Sequence, residues 1–225
     1  MGDERAVDRA GVAADPAVVD LLGVLAYGEL SAFERLAADA RLAPTLADEQ
    51  ALAGMAAAEY GHYRRLRDHL EGLGVDADTA MAPFVAPLHA FHDLTAPSDW
   101  LEGLVKAHVG DGIAQDFYRE VAQLVDPATR GLVLEVLADT GQADFAVSRV
   151  TAAVTAEPVL RGRLSLWARR LVGEALTQAQ RVAVERDALA GLLVGGELDL
   201  AGVGRLLQRL TDAHGSRMAA LGLSG

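Results

Sequence analysis

The sequence predicts an all-α protein: a four-helix bundle of two antiparallel hairpins joined by a long crossover, with two further helices after it. Three observations carry this expectation. Apolar residues recur with a helical period along nearly the whole chain, and β-branched alternation is missing. The seven prolines fall as punctuation between periodic segments, because proline is tolerated in a first helical turn or a loop but not in a helix interior. One connection between helices is much longer than the others.

The elements follow in order. Pro16, Pro97, Pro127 and Pro158, each preceded by Asp15, Ala96, Asp126 or Glu157, mark helix starts. Pro44 marks a turn, after which Thr45 and Asp48 resemble a capping box. Helices are therefore expected over 16–41, 46–73, 97–125, 127–155, 158–194 and 199–221, the fifth ended by Gly195-Gly196. Residues 1–15 read as a polar tail and 16–225 as one domain, with a core bundle over 16–155 and additional helices over 158–222. Short turns make the first and second helices one hairpin and the third and fourth another. Residues 74–96, with Pro83 and Pro87, read as a connection that crosses over to the far end of the bundle. A helix of about 26 residues is about 39 Å long, within reach of such a segment.

Composition narrows the function. A chain of 225 residues with 51% hydrophobic content builds a substantial core. It shows neither a run of 18 apolar residues nor a signal-type segment, so no membrane association is expected. The absence of cysteine excludes disulfides and thiolate metal sites and fits a reducing cytoplasm. A net charge of −12 and a pI near 4.8 disfavour binding to phosphate backbones. The local basic stretches Arg64-Arg65-Leu66-Arg67 and Arg161–Arg170 read as solvated faces paired with Asp and Glu.

Each of the first four helices carries an acid where the apolar stripe predicts a core position. These are Glu29 in the stripe of Leu22, Leu25, Phe33 and Leu36, and Glu59 in that of Leu52, Met55 and Leu66. Asp111 follows Leu101 and Leu104, and Asp139 follows Leu132 and Val136. Heights agree. Glu29 and Glu59 each lie 15 residues from Pro44, while Asp111 lies 16 residues before Pro127 and Asp139 and Gln142 lie 12 and 15 after it, all near mid-helix. Glu59-Tyr60-Gly61-His62 places a carboxylate and an imidazole three residues apart, on one helix face. Unpaired carboxylates in an apolar core are costly, and divalent cations would neutralise them. Oxygen-rich ligation with a histidine suits iron or manganese better than zinc. The competing reading is a metal-free network in which the acids bond to Tyr27, Tyr60, Tyr63 and Tyr118 or pair with arginine.

Tyr27-Gly28-Glu29-Leu30, Glu59-Tyr60-Gly61-His62 and Gly110-Asp111-Gly112, set in two hairpins and a crossover, resemble the actinobacterial branch of the ferritin-like superfamily. That branch is related to the tRNA-(2-methylthio-hydroxyisopentenyl-adenosine) hydroxylases. The resemblance implies a carboxylate-bridged di-iron centre with Glu29, Glu59 and His62 as its first half. Asp111 and Asp139 would form the second half, with Gln142 where the pattern has histidine. Asp and Gln depart from the Glu and His of the pattern. His108, one turn before Asp111, could substitute, and Glu174 and Gln178 approach an apolar stripe. His69, His89, His92 and His214 read as surface or loop residues.

Two function classes follow: an oxygen-dependent hydroxylase acting on a small molecule or modified nucleoside, or a non-catalytic bundle with one metal ion or none, serving storage, binding or interaction. Tight tRNA binding is not expected at this charge. A homodimer is expected, its contact made by the repeat Leu189, Leu192, Leu193 and Leu206, Leu207, Leu210.

Overall fold

Aspartates and a threonine cap several of the helices. In this computed structural model, which describes residues 14–138, 141–189, 191 and 200–224, Asp15 caps α1 (Pro16–Asp39), its carboxylate accepting from the Ala17 amide at 2.9 Å. A short 3-10 turn (Ala40–Leu42) leads to α2 (Leu46–Gly72). There the Thr45 hydroxyl accepts from the Asp48 amide at 3.2 Å and donates to the Asp48 carboxylate at 2.7 Å. After α3 (Ala77–Leu94) comes one long helix in three parts: α4 (Trp100–Val105), a π-helical stretch (Lys106–Asp111) and α5 (Gly112–Val121). Then follow α6 (Pro127–Val136), α7 (Gln142–Ala156), α8 (Leu160–Glu185) and α9 (Leu200–Ala220). Asp139, Leu192, Leu193 and Gly195-Gly196 lie outside the described residues, as do residues 1–13 of the expected tail.

The helical bundle stands, with four corrections. The fifth helix ends at Glu185, where Arg186 leaves the helical conformation, and not at 194. The crossover is not a loop: 77–94 is helical despite Pro83 and Pro87. Each proline forfeits an amide hydrogen bond, at about 3 kcal/mol in a helix interior. Against that, Asp76 caps the helix through the Thr79 amide at 2.8 Å. Ala77, Ala80, Met81, Phe84 and Pro87 form one buried stripe against α1, with α8 also packed on α3. Burying side chains such as Met81 and Phe84 contributes about 1.5–3 kcal/mol each, enough to offset the prolines. The third helix starts at Trp100, not Pro97, because Asp99 supplies the cap to the Glu102 amide at 2.9 Å. The fourth helix is interrupted between Val136 and Gln142, where Gly141 takes a φ of +87°. The turn composition Asp139-Thr140-Gly141 is the sequence signal for that break.

The first hairpin packs α1 along α2; in the second, α7 returns against α4 and the π-helical stretch. Two apolar clusters fill the bundle, one at each end. The first includes Leu21, Leu25, Leu66, Leu70, Phe84 and Val133; the second includes Leu36, Leu52, Val105, Val150, Leu164 and Met218. Along each helix the gap between clusters carries a polar residue. Glu29 falls between Leu25 and Leu36, Glu59 between Ala56 and Leu66, Asp111 between Val109 and Val121, and Gln142 between Leu137 and Ala146. A polar layer thus crosses the middle of the bundle.

Among the described helices, one segment (Pro16–Leu42) is long and apolar enough to cross a membrane, but 67% of its apolar window is buried in the protein. Its apolarity is that of a central core helix. In the expected dimer contact, Leu189 and Leu206 are buried and Leu207 is exposed.

Candidate metal centre

Glu29, midway along α1, and Glu59 and His62, midway along α2, face one another across the first hairpin. One ligand atom from each lies within 4.8 Å of the others, and among the described residues they are the His and carboxylate group so gathered. The Nδ1 of His62 is 3.3 Å from Oε2 of Glu29 and 3.3 Å from Oε2 of Glu59. Glu29 and Glu59 are buried. The Oε2 of Glu29 is removed from solvent, and apart from its 3.3 Å contact with His62 it makes no well-formed hydrogen bond.

This geometry has an electrostatic cost. Burial pushes the Glu29 carboxyl well above the usual range, against the pull of His62. Burial acts on Glu59 in the same direction, but hydrogen bonds with His62 and Glu29 prevail and hold it below its ordinary value. His62, bonded to both carboxylates, is raised to about 9. A proton on His62 therefore holds the acids together where a cation would otherwise do so.

The remaining sequence candidates stand around this group. Gln142, first residue of α7, donates its amide to Oε1 of Glu59 at 3.5 Å. Asp111 ends the π-helical stretch and is engaged elsewhere: Nη2 of Arg35 donates to its Oδ2 at 2.6 Å. The Arg35 side chain is only 10% exposed, and its Nη1 is 3.5 Å from both ring nitrogens of His92. His108 lies outside the triad and lines a polar cavity with Glu59, His62 and Gln142. Gln178 is buried and lines the neighbouring apolar cavity; Glu174 is half-buried on α8.

The four histidines read as surface or loop residues all lie in helices. His89 is exposed, its ring nitrogen 2.5 Å from the Tyr27 hydroxyl. His69 and His214 are half-buried. His92 is the main correction: it faces inward from α3, and burial, with Arg35 and Lys106 nearby, lowers its pKa to about 2. Arg35 and Lys106 are the functional-layer residues that sequence reasoning missed. The Lys106 side chain is 1% exposed; its Nζ donates to the Thr95 carbonyl at 2.8 Å and lies 5.4 Å from the centre of the Phe91 ring. The signal for it was present: the chain's sole lysine sits in the run Leu104-Val105-Lys106-Ala107.

Two cavities meet at Glu59 and Gln115. The polar one, about 240 Å³, is also lined by His62, Asp116, Arg119 and Arg217. Asp116 pairs with Arg119 at 3.1 Å and with Arg217. The apolar one, about 270 Å³, has Leu25, Leu88, Phe91, Ile113 and Phe117 on its walls and Glu29, Arg35 and Asp111 at its polar end. Tyr118 also lines it, its phenol pushed up by burial and by the charge of Glu29.

In the basic stretches Arg65, Arg67 and Arg163 form ion pairs, while Arg170 donates to the Leu94 carbonyl at 2.5 Å. Arg65 pairs with Glu135, Arg67 with Asp68 at 2.6 Å, and Arg163 with Asp99 at 2.7 Å and Glu102 at 2.6 Å.

The family model described as "Ferritin-like domain, actinomycetes" matches residues 13–196. No curated protein matches the chain.

Proposed function

Because the chain belongs to the actinomycete family of ferritin-like domains, we propose that it binds a divalent transition-metal ion, iron or manganese, at Glu29, Glu59 and His62. The spacing of the donor atoms carries this reading. Ligand atoms about 2.1 Å from a common ion stand about 3.0–3.4 Å apart at octahedral or tetrahedral angles. His62 Nδ1 already lies 3.3 Å from an oxygen of each glutamate. The buried Oε2 of Glu29 has its 3.3 Å contact with His62 but no well-formed hydrogen bond, and an ion would satisfy it better. Two carboxylates and an imidazole form a hard donor set suited to iron or manganese.

The residues have separable roles. Glu29 and Glu59 supply the negative charge; His62 gives up its proton to ligate through Nδ1. Gln142 restrains Glu59 from the opposite hairpin. The apolar walls beside Glu29 limit access of water.

A second reading, an oxygen-dependent hydroxylase, is supported by the apolar cavity abutting Glu29 and Glu59. Iron bound there would supply oxygen activation, and the cavity would hold an apolar or modified-nucleoside substrate. The net charge of −12 argues against tight association with whole tRNA. The exposed Leu176 and Leu207 support association into a homodimer, which sedimentation at micromolar concentration tests.

The deciding experiment measures metal content in protein produced with iron or manganese. Wild type is expected to retain metal that Glu59→Gln and His62→Ala lose. Equal content in all three would remove the metal reading. Dioxygen uptake with substrate oxidation distinguishes the hydroxylase from a binding bundle.

A further inference from the structure

From the arrangement around Asp111 we infer that the Arg35 guanidinium occupies the place of a second cation in this bundle, so that the chain binds one metal ion rather than two. The inference rests on the triad reading above, which it refines.

Arg35 lies on α1 six residues after Glu29 and reaches across to the other hairpin, donating to Asp111 at 2.6 Å. Among the described residues, which do not include Asp139, Asp111 is the acid that the bundle topology offers to a second ion. It is already neutralised by a charge-assisted hydrogen bond of full strength. The charge of Arg35 also acts on Glu59. Lys106, from the same π-helical stretch as Asp111, adds a second buried cation whose field reaches Asp111.

Charge decides the stoichiometry. Asp111 is paired directly with Arg35, and both Asp111 and Asp39 feel Arg35 and Lys106, although burial raises the pKa of both acids and lowers that of Lys106 to about 7. Glu29 and Glu59 are left for the triad, and one divalent ion with a neutral His62 cancels them. A second divalent ion would enter beside a buried guanidinium that already engages Asp111, the second-site acid among the described residues. Repulsion between such charges in a poorly solvated site is several-fold stronger than in water. The wide π-helical turn fits this role: it presents Lys106 and Asp111 to one layer of the bundle.

The test is ion stoichiometry of the full-length metal-free chain dialysed to equilibrium against Mn(II), read by elemental analysis. Wild type is expected to bind one ion per chain. Arg35→Gln is expected to bind two, because Asp111 and the His92 ring are then free to ligate with Glu59. Two ions in wild type, or one in folded Arg35→Gln, would overturn the inference while leaving the triad intact. No ion in wild type would overturn the triad and this inference with it. Should Arg35→Gln fail to fold, Asp111→Asn serves. It is expected to keep one ion at an affinity within about threefold of wild type, since Asp111 ligates nothing. A tenfold loss there would overturn the inference.

Discussion

Gln142 and Glu59, 83 residues apart in sequence, meet across the two hairpins, with the glutamine amide 3.5 Å from Oε1 of the glutamate. The position that the ferritin-like pattern gives to a second-site histidine is therefore directed at the triad itself. Gln142→His is expected to place an imidazole beside Glu59 and tighten Mn(II) binding about tenfold, since nitrogen is a stronger ligand than an amide. The number of ions per chain stays unchanged. Competition against a chelating dye reads both quantities. A second ion appearing in this variant would mean that Gln142 belongs to a separate site.

Bound metal stabilises the fold by mass action. At a free ion concentration 100 times Kd, the gain is about 2.7 kcal/mol. Wild type should show a rise in Tm of several degrees on adding Mn(II), and His62→Ala should show none. If His62→Ala responds as wild type does, the stabilising ion binds elsewhere.

His92 sets an acid limit on stability. Its pKa is about 6.5 unfolded and about 2 folded, because burial and then Arg35 and Lys106 disfavour its charged form. A depressed folded pKa means stability that is complete above about 6.5 and declines as pH falls toward 2. His92→Gln does not titrate and keeps an acceptor for Arg35, so its stability should vary less with pH between 6.5 and 4. Urea denaturation at stepped pH makes the comparison, and identical slopes for the two proteins would contradict it.

Gly23 fixes the approach of α1 to α3. A Cβ there would stand 2.3 Å from the Ala80 carbonyl oxygen, a backbone atom that cannot rotate away. Gly23→Ala should cost about 1–3 kcal/mol as overpacking and leave ion stoichiometry unaltered. Gly28, with open space around it, should tolerate alanine much better. Chemical denaturation of the pair checks this, and equal losses would show that the close approach at Gly23 is not limiting.

The sequence by itself determined the helical bundle and the pairing of Glu29 with Glu59 and His62. These depend on period and on distance from a single tight turn at Pro44, and both are local properties of the chain. A continuous helix converts residue number into height, so the first hairpin could be measured by counting. In the second hairpin counting again put Asp111 and Gln142 at the level of the triad, but it did not foresee the π-helical turn at Lys106–Asp111 or the left-handed Gly141. Helicity of 77–94 was hidden for a related reason: its prolines forbid it locally, and only burial against α1 offsets them. Tertiary structure alone decided the partner of Asp111. A stripe of apolar positions marks a buried acid but carries no information on which distant cation neutralises it. That choice depends on the length of Arg35, the depth of Lys106 and the cost of leaving any of these charges unpaired away from water.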